Sequence, residues 1–351
     1  TWAPGSSLTW PSGHQWAPGD DWSDYAKAPN GTNISGQLLA AGLNSPVQAG
    51  TYYIGVINPA GNNTAMSYTL VSRFIGTNQN ILVGALAFTN GSVANTNLLW
   101  RNADYFTVNV PSNAPSWRLK LSVTNGDALL IVAKDVIPNI TAGNSTPNTP
   151  GAGRKLQKLG HEHYLLMPTT GQTNLIAGTY YLAVVSEGTN SSSLQDRYGS
   201  NSVSYALTSF GPLAPVNLGT LGASDLVQAD TAEAGEIKAY QFTAPAGFLR
   251  LDVRLENTSG LPRMSLRQTN QLVAVPNGYG NDGGFSYTLE NPTLMSVANP
   301  IGVYTLMVQA SDLTATNVAY AIRLQTSTAT SLAFDGGNVN VGSQPYDAWR
   351  F

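Results

Sequence analysis

The peptide Ala49-Gly50-Thr51-Tyr52-Tyr53 returns as Ala177-Gly178-Thr179-Tyr180-Tyr181, and a weaker copy follows as Ile301-Gly302-Val303-Tyr304-Thr305. Each copy leads into an apolar, strand-like run and then a second tag: Ser67-Tyr68-Thr69-Leu70, Ser204-Tyr205-Ala206-Leu207 and Ala319-Tyr320-Ala321-Ile322. Self-similarity at a period of roughly 125 residues marks an array of related domains rather than one large catalytic fold.

The runs between the tags read as β-structure. Val203–Thr208 and Phe106–Val110 alternate apolar and polar residues, and Arg118–Val123 and Leu249–Leu255 do so more cleanly, as half-buried strands require. Thr179–Val185 is denser in apolar residues and suits a central strand. Asn-Gly, Pro-Ser-Asn and Gly-Asn-Asp-Gly-Gly punctuate the runs as turns, so Asn281-Asp282-Gly283-Gly284 reads as a tight turn. No amphipathic helix of three turns is present. The expected fold is all-β, with tandem Greek-key or jelly-roll-like β-sandwiches.

The repeats align further. Leu86-Ala87-Phe88 opens one copy and Leu332-Ala333-Phe334 another; Tyr105-Phe106 ahead of Val110-Pro111 matches Tyr240-Gln241-Phe242 ahead of Ala244-Pro245. A complete copy has an opening strand, an aromatic strand ending in proline, a Leu-rich strand, a variable loop, the glycine-tyrosine strand and the closing tyrosine strand. Complete copies fit 80–211 and 212–327. Residues 1–79 hold only the back half of a copy, and 328–351 only the opening of one. Both ends are therefore expected to be incomplete sandwiches. The start at Thr1, without methionine, is read as a processed chain whose export signal lay upstream.

This strand order, with Gly-Thr-Tyr-Tyr near the end and a tyrosine in the last strand, resembles the bacterial pre-peptidase C-terminal domain family. The matching residues are Gly50, Tyr52 and Tyr68, then Gly178, Tyr180 and Tyr205, then Gly302, Tyr304 and Tyr320. The resemblance implies small, usually non-catalytic β-sandwiches appended to secreted proteins, aiding secretion, attachment or substrate binding; some related modules bind calcium. No peptidase domain accompanies them here, and the Trp-rich stretch at 1–36 is not a general family feature.

Composition narrows the function classes. Charged residues are only 11% of the chain, against about 25% in a typical domain, and the net charge is -3. There is no basic face for nucleic acid. Few charges also mean little electrostatic resistance to self-association. The absence of cysteine removes disulfides, zinc-thiolate sites and a cysteine nucleophile. No stretch reaches the roughly 18 apolar residues that a spanning helix needs.

Chemistry-bearing residues are sparse. The three histidines are His14, His161 and His163. On a strand, His161 and His163 face the same way and can share a metal with Glu187, or they are two exposed polar residues on a strand edge. Neither a Gly-x-Ser-x-Gly elbow nor a His-Glu-x-x-His helix occurs. Asp20, Asp21 and Asp24 crowd one loop; they form a calcium site or are solvated loop acids. Four of the seven tryptophans, Trp2, Trp10, Trp16 and Trp22, fall in one segment. Trp2 and Trp10 are read as interface or core-covering residues, while Trp16 and Trp22 offer the alternative of stacking on sugar rings. The tag tyrosines are expected in the core.

These readings lead to a non-enzymatic, extracellular or cell-surface protein: a unit of a filament, sheath or surface layer whose partners are copies of itself or adjacent repeats, joined head to tail. The joining residues would be Leu332, Phe334, Trp349 and Phe351 with Trp2 and Trp10, by strand complementation. The alternative is a carbohydrate- or surface-binding accessory module of a larger secreted hydrolase, with polysaccharide as its partner.

Overall fold

A computed structural model describes residues 81–138, 153–188 and 201–328, apart from residues 100, 101, 276, 277, 292 and 315, together with short strands and single positions on either side. The chain is all-β. Three short strands come first: β1 (Gly19–Asp21), β2 (Leu39–Ala41) and β3 (Ile75–Gly76). β1 pairs antiparallel with β2. The dipeptide Asp20-Asp21 thus belongs to a paired strand rather than to the loop expected from sequence.

The first sandwich comprises β4 (Ile81–Ala85), β5 (Gly91–Leu99), β6 (Ala103–Val110), β7 (Trp117–Asn125), β8 (Asp127–Lys134), β9 (Gly153–Leu156), β10 (Glu162–Leu166), β11 (Gly178–Gly188) and β12 (Ser202–Gly211). One sheet runs β4-β6-β11-β8-β9, with β3 beside β4; the facing sheet runs β10-β7-β12-β5. Apart from β8 and β9, which pair within one sheet, successive strands cross between the two sheets, as in a jelly roll. The facing sides interlock through Phe106, Val108, Leu130 and Leu182 on one sheet and Leu119, Leu121, Tyr164 and Leu207 on the other. Trp117 sits in that core with no exposed surface. Its indole Nε1 donates to Ser209 Oγ at 2.8 Å, which removes the cost of burying the donor.

The second sandwich repeats the plan with β13 (Val216–Thr220), β14 (Leu226–Glu233), β15 (Ile237–Ala244), β16 (Arg250–Glu256), β17 (Pro262–Arg267), β18 (Asn281–Asp282), β19 (Leu289–Asn291), β20 (Leu294–Ala298), β21 (Gly302–Ala310) and β22 (Asn317–Ser327). Its sheets run β13-β15-β21-β17-β19 and β14-β22-β16-β20, around a core of Tyr240, Phe242, Leu251, Val253, Leu306 and Ile322. Apart from β18, the pairings match those of the first sandwich strand for strand. In both, the first strand pairs in parallel with the third. The same parallel geometry recurs between β23 (Thr330–Ser331) and β24 (Trp349–Arg350).

The tags have physical reasons. Gly178 and Gly302 open β11 and β21 at φ +143° and +89°, a region that L side chains seldom adopt. Tyr180, Tyr205, Tyr304 and Tyr320 are all buried, as expected. The closing tyrosine is tied to a carboxylate directly in the first copy and through a second tyrosine in the other. Tyr205 donates to Asp104 Oδ2 at 2.6 Å, and Asn95 donates to the same oxygen at 2.7 Å. In the second copy, Tyr320 bonds Tyr240 at 2.7 Å, and Tyr240 donates to Asp230 Oδ2 at 2.7 Å. Pairing places Asp230 where Asn95 stands, and Lys238, which donates to Asp230 at 2.6 Å, where Asp104 stands.

Two sequence expectations are corrected. The segment taken as a variable loop holds β8, β9 and β10. Register also sets Phe106, not Tyr105, in the place of Tyr240: Phe106 faces Leu182 and Tyr240 faces Leu306. Tyr105 therefore points to the opposite side of its sheet from the core.

Replacing Tyr205 by Phe removes one charge-assisted hydrogen bond from Asp104. It should lower stability by about 1.5–3 kcal/mol, read as a shift in the urea unfolding midpoint at unchanged m-value.

Candidate functional site

The most elaborate chemistry in the described residues lies where the two sandwiches meet. β10 is the edge of its sheet, so its outward N–H and C=O groups need partners. β18 supplies them from the second sandwich, pairing in parallel at Leu165↔Asn281 and Leu166↔Asp282. Leu165 N donates to Gly280 O at 2.8 Å and Met167 N to Asp282 O at 2.9 Å. Residues 280–284, expected as a tight turn, form this bridging strand and its flanks.

Glycine is required on both sides of it. At Gly280 (φ +73°) a Cβ would stand 2.1 Å from His163 O, and at Gly283 (φ +74°) 2.0 Å from Met167 O. Neither contact is physically possible, so the approach of the two backbones depends on these residues.

Beside the strand pair lies an apolar cluster drawn from both sandwiches. Leu165, Met167 and Leu213 come from the first, and Ile237, Ala239, Val273, Val275 and Met307 from the second. Ile237, Ala239 and Met307 belong to the outer face of the β13-β15-β21-β17-β19 sheet, opposite the side that makes the core.

Three charged sets surround the cluster. Asp282, 3% exposed, accepts from Arg154 Nε at 3.1 Å, from Arg154 Nη2 and from the Tyr164 hydroxyl at 2.9 Å. Burial raises the Asp282 carboxyl, against the opposing pull of Arg154, while the carboxylate hydrogen bond raises the Arg154 guanidinium. Burial disfavours the ionised carboxylate and Arg154 favours it, so desolvation is the cost of this contact. Glu233 accepts from Lys120 Nζ at 2.7 Å and bonds His163 Nε2 at 2.9 Å. The bond to His163, then the bond to Lys120, brings its carboxyl down to about 2. Glu162, fully buried, accepts from Lys158 N–H at 2.6 Å and the Tyr279 hydroxyl at 2.9 Å. Burial, assisted by Asp127, pushes it up to about 8.

The histidine pair is accordingly neither a metal site nor exposed edge decoration. His163 is buried against Glu233, while His161 Nδ1 accepts from Val123 N at 3.1 Å and burial lowers its pKa. Glu187 bonds Gln157. Among the described residues no three His, Asp or Glu side chains come together as a metal ion would need. Of the proposed calcium ligands, Asp20 and Asp21 lie in β1; Asp24 lies outside the described residues. So do Trp2, Trp10, Trp16, Trp22, Leu332, Phe334 and Phe351, while Trp349 begins β24.

Sequence reasoning missed Arg154, Glu162, Glu233 and Asp282. One signal was legible: Leu129-Leu130-Ile131-Val132-Ala133 is apolar without alternation, the mark of a strand covered on both faces.

No family model matches this chain, and no curated protein does. Among solved structures it is similar to the CUB1-EGF-CUB2 domain of human MASP-1/3 at 9% identity, covering 68% of this chain and 99% of that one, with a TM-score of 0.21. It is also similar to tripeptidyl peptidase 2 (10% identity, 70% of this chain and 24% of that one, TM-score 0.22). A third likeness is a putative secreted protein from Eubacterium rectale (9% identity, 64% and 69%, TM-score 0.16). At this level of similarity they say nothing about activity or partners.

Two outcomes are expected. Asp282→Ala strands the Arg154 charge at the junction and should cost about 3 kcal/mol or more, measured by urea unfolding. Glu162 keeps its proton in the folded state up to about 8 but loses it near 4.5 in the unfolded chain, so folding stability falls as pH rises from 4.5 to 8. Glu162→Gln should flatten that decline in unfolding curves collected across the same range; an unchanged slope would show that Glu162 is not its source.

Proposed function

We propose that the chain is a non-enzymatic structural protein of the cell exterior, a run of β-sandwich repeats forming a unit of a filament, sheath or surface layer. The resemblance to pre-peptidase C-terminal domains fits this reading, since such modules are appended to secreted proteins. The observation that carries it is the junction: consecutive sandwiches are joined by a strand pair, a shared apolar cluster and buried ion pairs. Flexibly linked domains need none of these, whereas a repeat that transmits a fixed orientation from one unit to the next does. The parallel β23–β24 pair, built like the opening of both sandwiches, supports a further copy of the same unit. Partners are then further sandwiches of this type, joined head to tail in one polypeptide or between chains.

Electron microscopy of the purified protein and of its native source material tests this. Fibres or sheets with an axial repeat that fits stacked sandwiches are expected, and deletion of residues 328–351 should abolish or weaken assembly. A monomer at all concentrations, with polysaccharide binding lost on Trp16→Ala and Trp22→Ala, would replace this reading with that of an accessory binding module.

A further inference from the structure

Glu162 touches the second sandwich from inside the first. It stands opposite Leu121 at the start of β10, so its side chain points to the core side of its sheet, away from the apolar cluster at the junction. It has no exposed surface. One carboxyl oxygen accepts from the Lys158 N–H at 2.6 Å, and the other accepts from the Tyr279 hydroxyl at 2.9 Å. Tyr279 belongs to the second sandwich, and its ring packs against the core of the first. Gln309 Nε2 donates to the Tyr279 carbonyl at 2.8 Å, which fastens this segment to β21. Immediately beyond Tyr279, the carbonyls of Gly280 and Asp282 take the Leu165 and Met167 amides of the β10 edge. Carboxyl, tyrosine ring and strand pair therefore form one continuous contact.

This site suits a neutral acid better than an anion. Both donors are uncharged, an amide and a hydroxyl. The buried Asp127 carboxyl, which accepts from Ala128 N and Gly160 N at 3.1 Å, opposes a second negative charge. Lys158, 2% exposed, acts the other way; its Nζ donates to Leu159 O at 3.3 Å. The other ionisable groups nearby have partners of their own. His161 Nδ1 accepts from Val123 N, and Glu187 accepts from Gln157. Lys120, His163 and Glu233 meet on the opposite side of β10. Asp282 is held by Arg154 and Tyr164. Burial outweighs Lys158, and the Glu162 carboxyl keeps its proton up to about 8.

We propose that Glu162 is a proton-operated latch: with its proton it holds the junction shut, and without it the Tyr279–β18 segment opens from β10 more often while both sandwiches stay folded. The cause is hydration. In the closed junction an anion at 162 has almost no water, whereas with Tyr279 withdrawn the carboxylate reaches solvent. The open form therefore releases its proton near 4.5 and the closed form near 8. Closing is strongest below 4.5, weakens as pH rises to about 8, and weakens no further above that. Each sandwich has its own core, so withdrawal of this segment leaves both intact. In a string of repeats, alkaline conditions then loosen the orientation between neighbours without unfolding either.

Hydrogen–deuterium exchange on the full chain from about pH 5 to 9, with peptides resolved by mass spectrometry, tests this. Protection is taken relative to the unstructured rate at each pH. The peptide spanning 161–168 carries the Leu165 and Met167 amides. It should be at least about tenfold less protected than β12 and β22, because it exchanges through opening of the junction rather than unfolding. Its protection should fall at least about tenfold from about pH 5 to 8, then level off. Glu162→Gln cannot ionise and should shrink that fall to no more than about threefold; what remains belongs to Asp282, which burial also raises. If Glu162→Gln fails to fold, Tyr279→Phe is read instead. It withdraws a hydrogen bond that favours the anion, so the levelling-off should move above pH 8. Protection of 161–168 equal to that of β12, a fall undiminished in Glu162→Gln, or a Tyr279→Phe loss that is the same at every pH overturns the proposal. None of these results depends on whether the protein forms fibres, so failure of the latch and failure of assembly are separately visible.

Discussion

A strand edge has to be covered, and the covering of β10 organises this molecule. Its outward amides cannot be satisfied within the first sandwich, and Leu165 and Met167 face away from their own core. The second sandwich answers both needs with one segment: β18 supplies the hydrogen bonds, and the sheet behind it supplies apolar surface. The effect is visible in burial. All five residues of β10 are buried, whereas β20, which holds the equivalent place in the second sandwich, alternates between covered and exposed. The two glycines at 280 and 283 make the approach possible by removing side chains that would collide with the β10 backbone and its continuation.

The charged groups at this junction act on geometry more than on net stability. Desolvating Asp282 and Arg154 roughly offsets their attraction, and the apolar cluster provides most of the favourable free energy, at about 1.5–3 kcal/mol for each large side chain fully buried. The ion pairs instead penalise any other alignment of the sandwiches, because sliding β18 by one residue would leave a buried charge without its partner. In a chain with only 11% charged residues, it is notable that Lys120, Arg154, Lys158, Glu162, Glu233 and Asp282 gather here.

The repeats also show which features tolerate drift. The closing tyrosine keeps its hydrogen-bonded hydroxyl in both sandwiches, yet its partner is Asp104 on β6 in one and, in the other, Tyr240 on β15, which is in turn held by Asp230 on β14. What persists is the requirement that a buried hydroxyl be satisfied; the residue that meets it is free to move across the sheet.

Alternation and turn residues were sufficient to read the all-β class, the main strands and the buried tag tyrosines, because a side-chain period of two reports directly on which face meets a core. Glycine at 178 and 302 was legible as a tag, and its positive φ gives the reason. The short strands β9 and β18 and the pairing of β10 were not legible, since two to five residues carry too little pattern, and Gly-Asn-Asp-Gly-Gly satisfies a turn and a close strand approach equally well. The roles of Arg154, Glu162, Glu233 and Asp282 were decided only by tertiary structure. Each is an ordinary polar residue in its own strand or loop, and its partner lies in another strand or in the other sandwich. Local sequence specifies what a strand can bury; which strand arrives to bury it is a property of the folded whole.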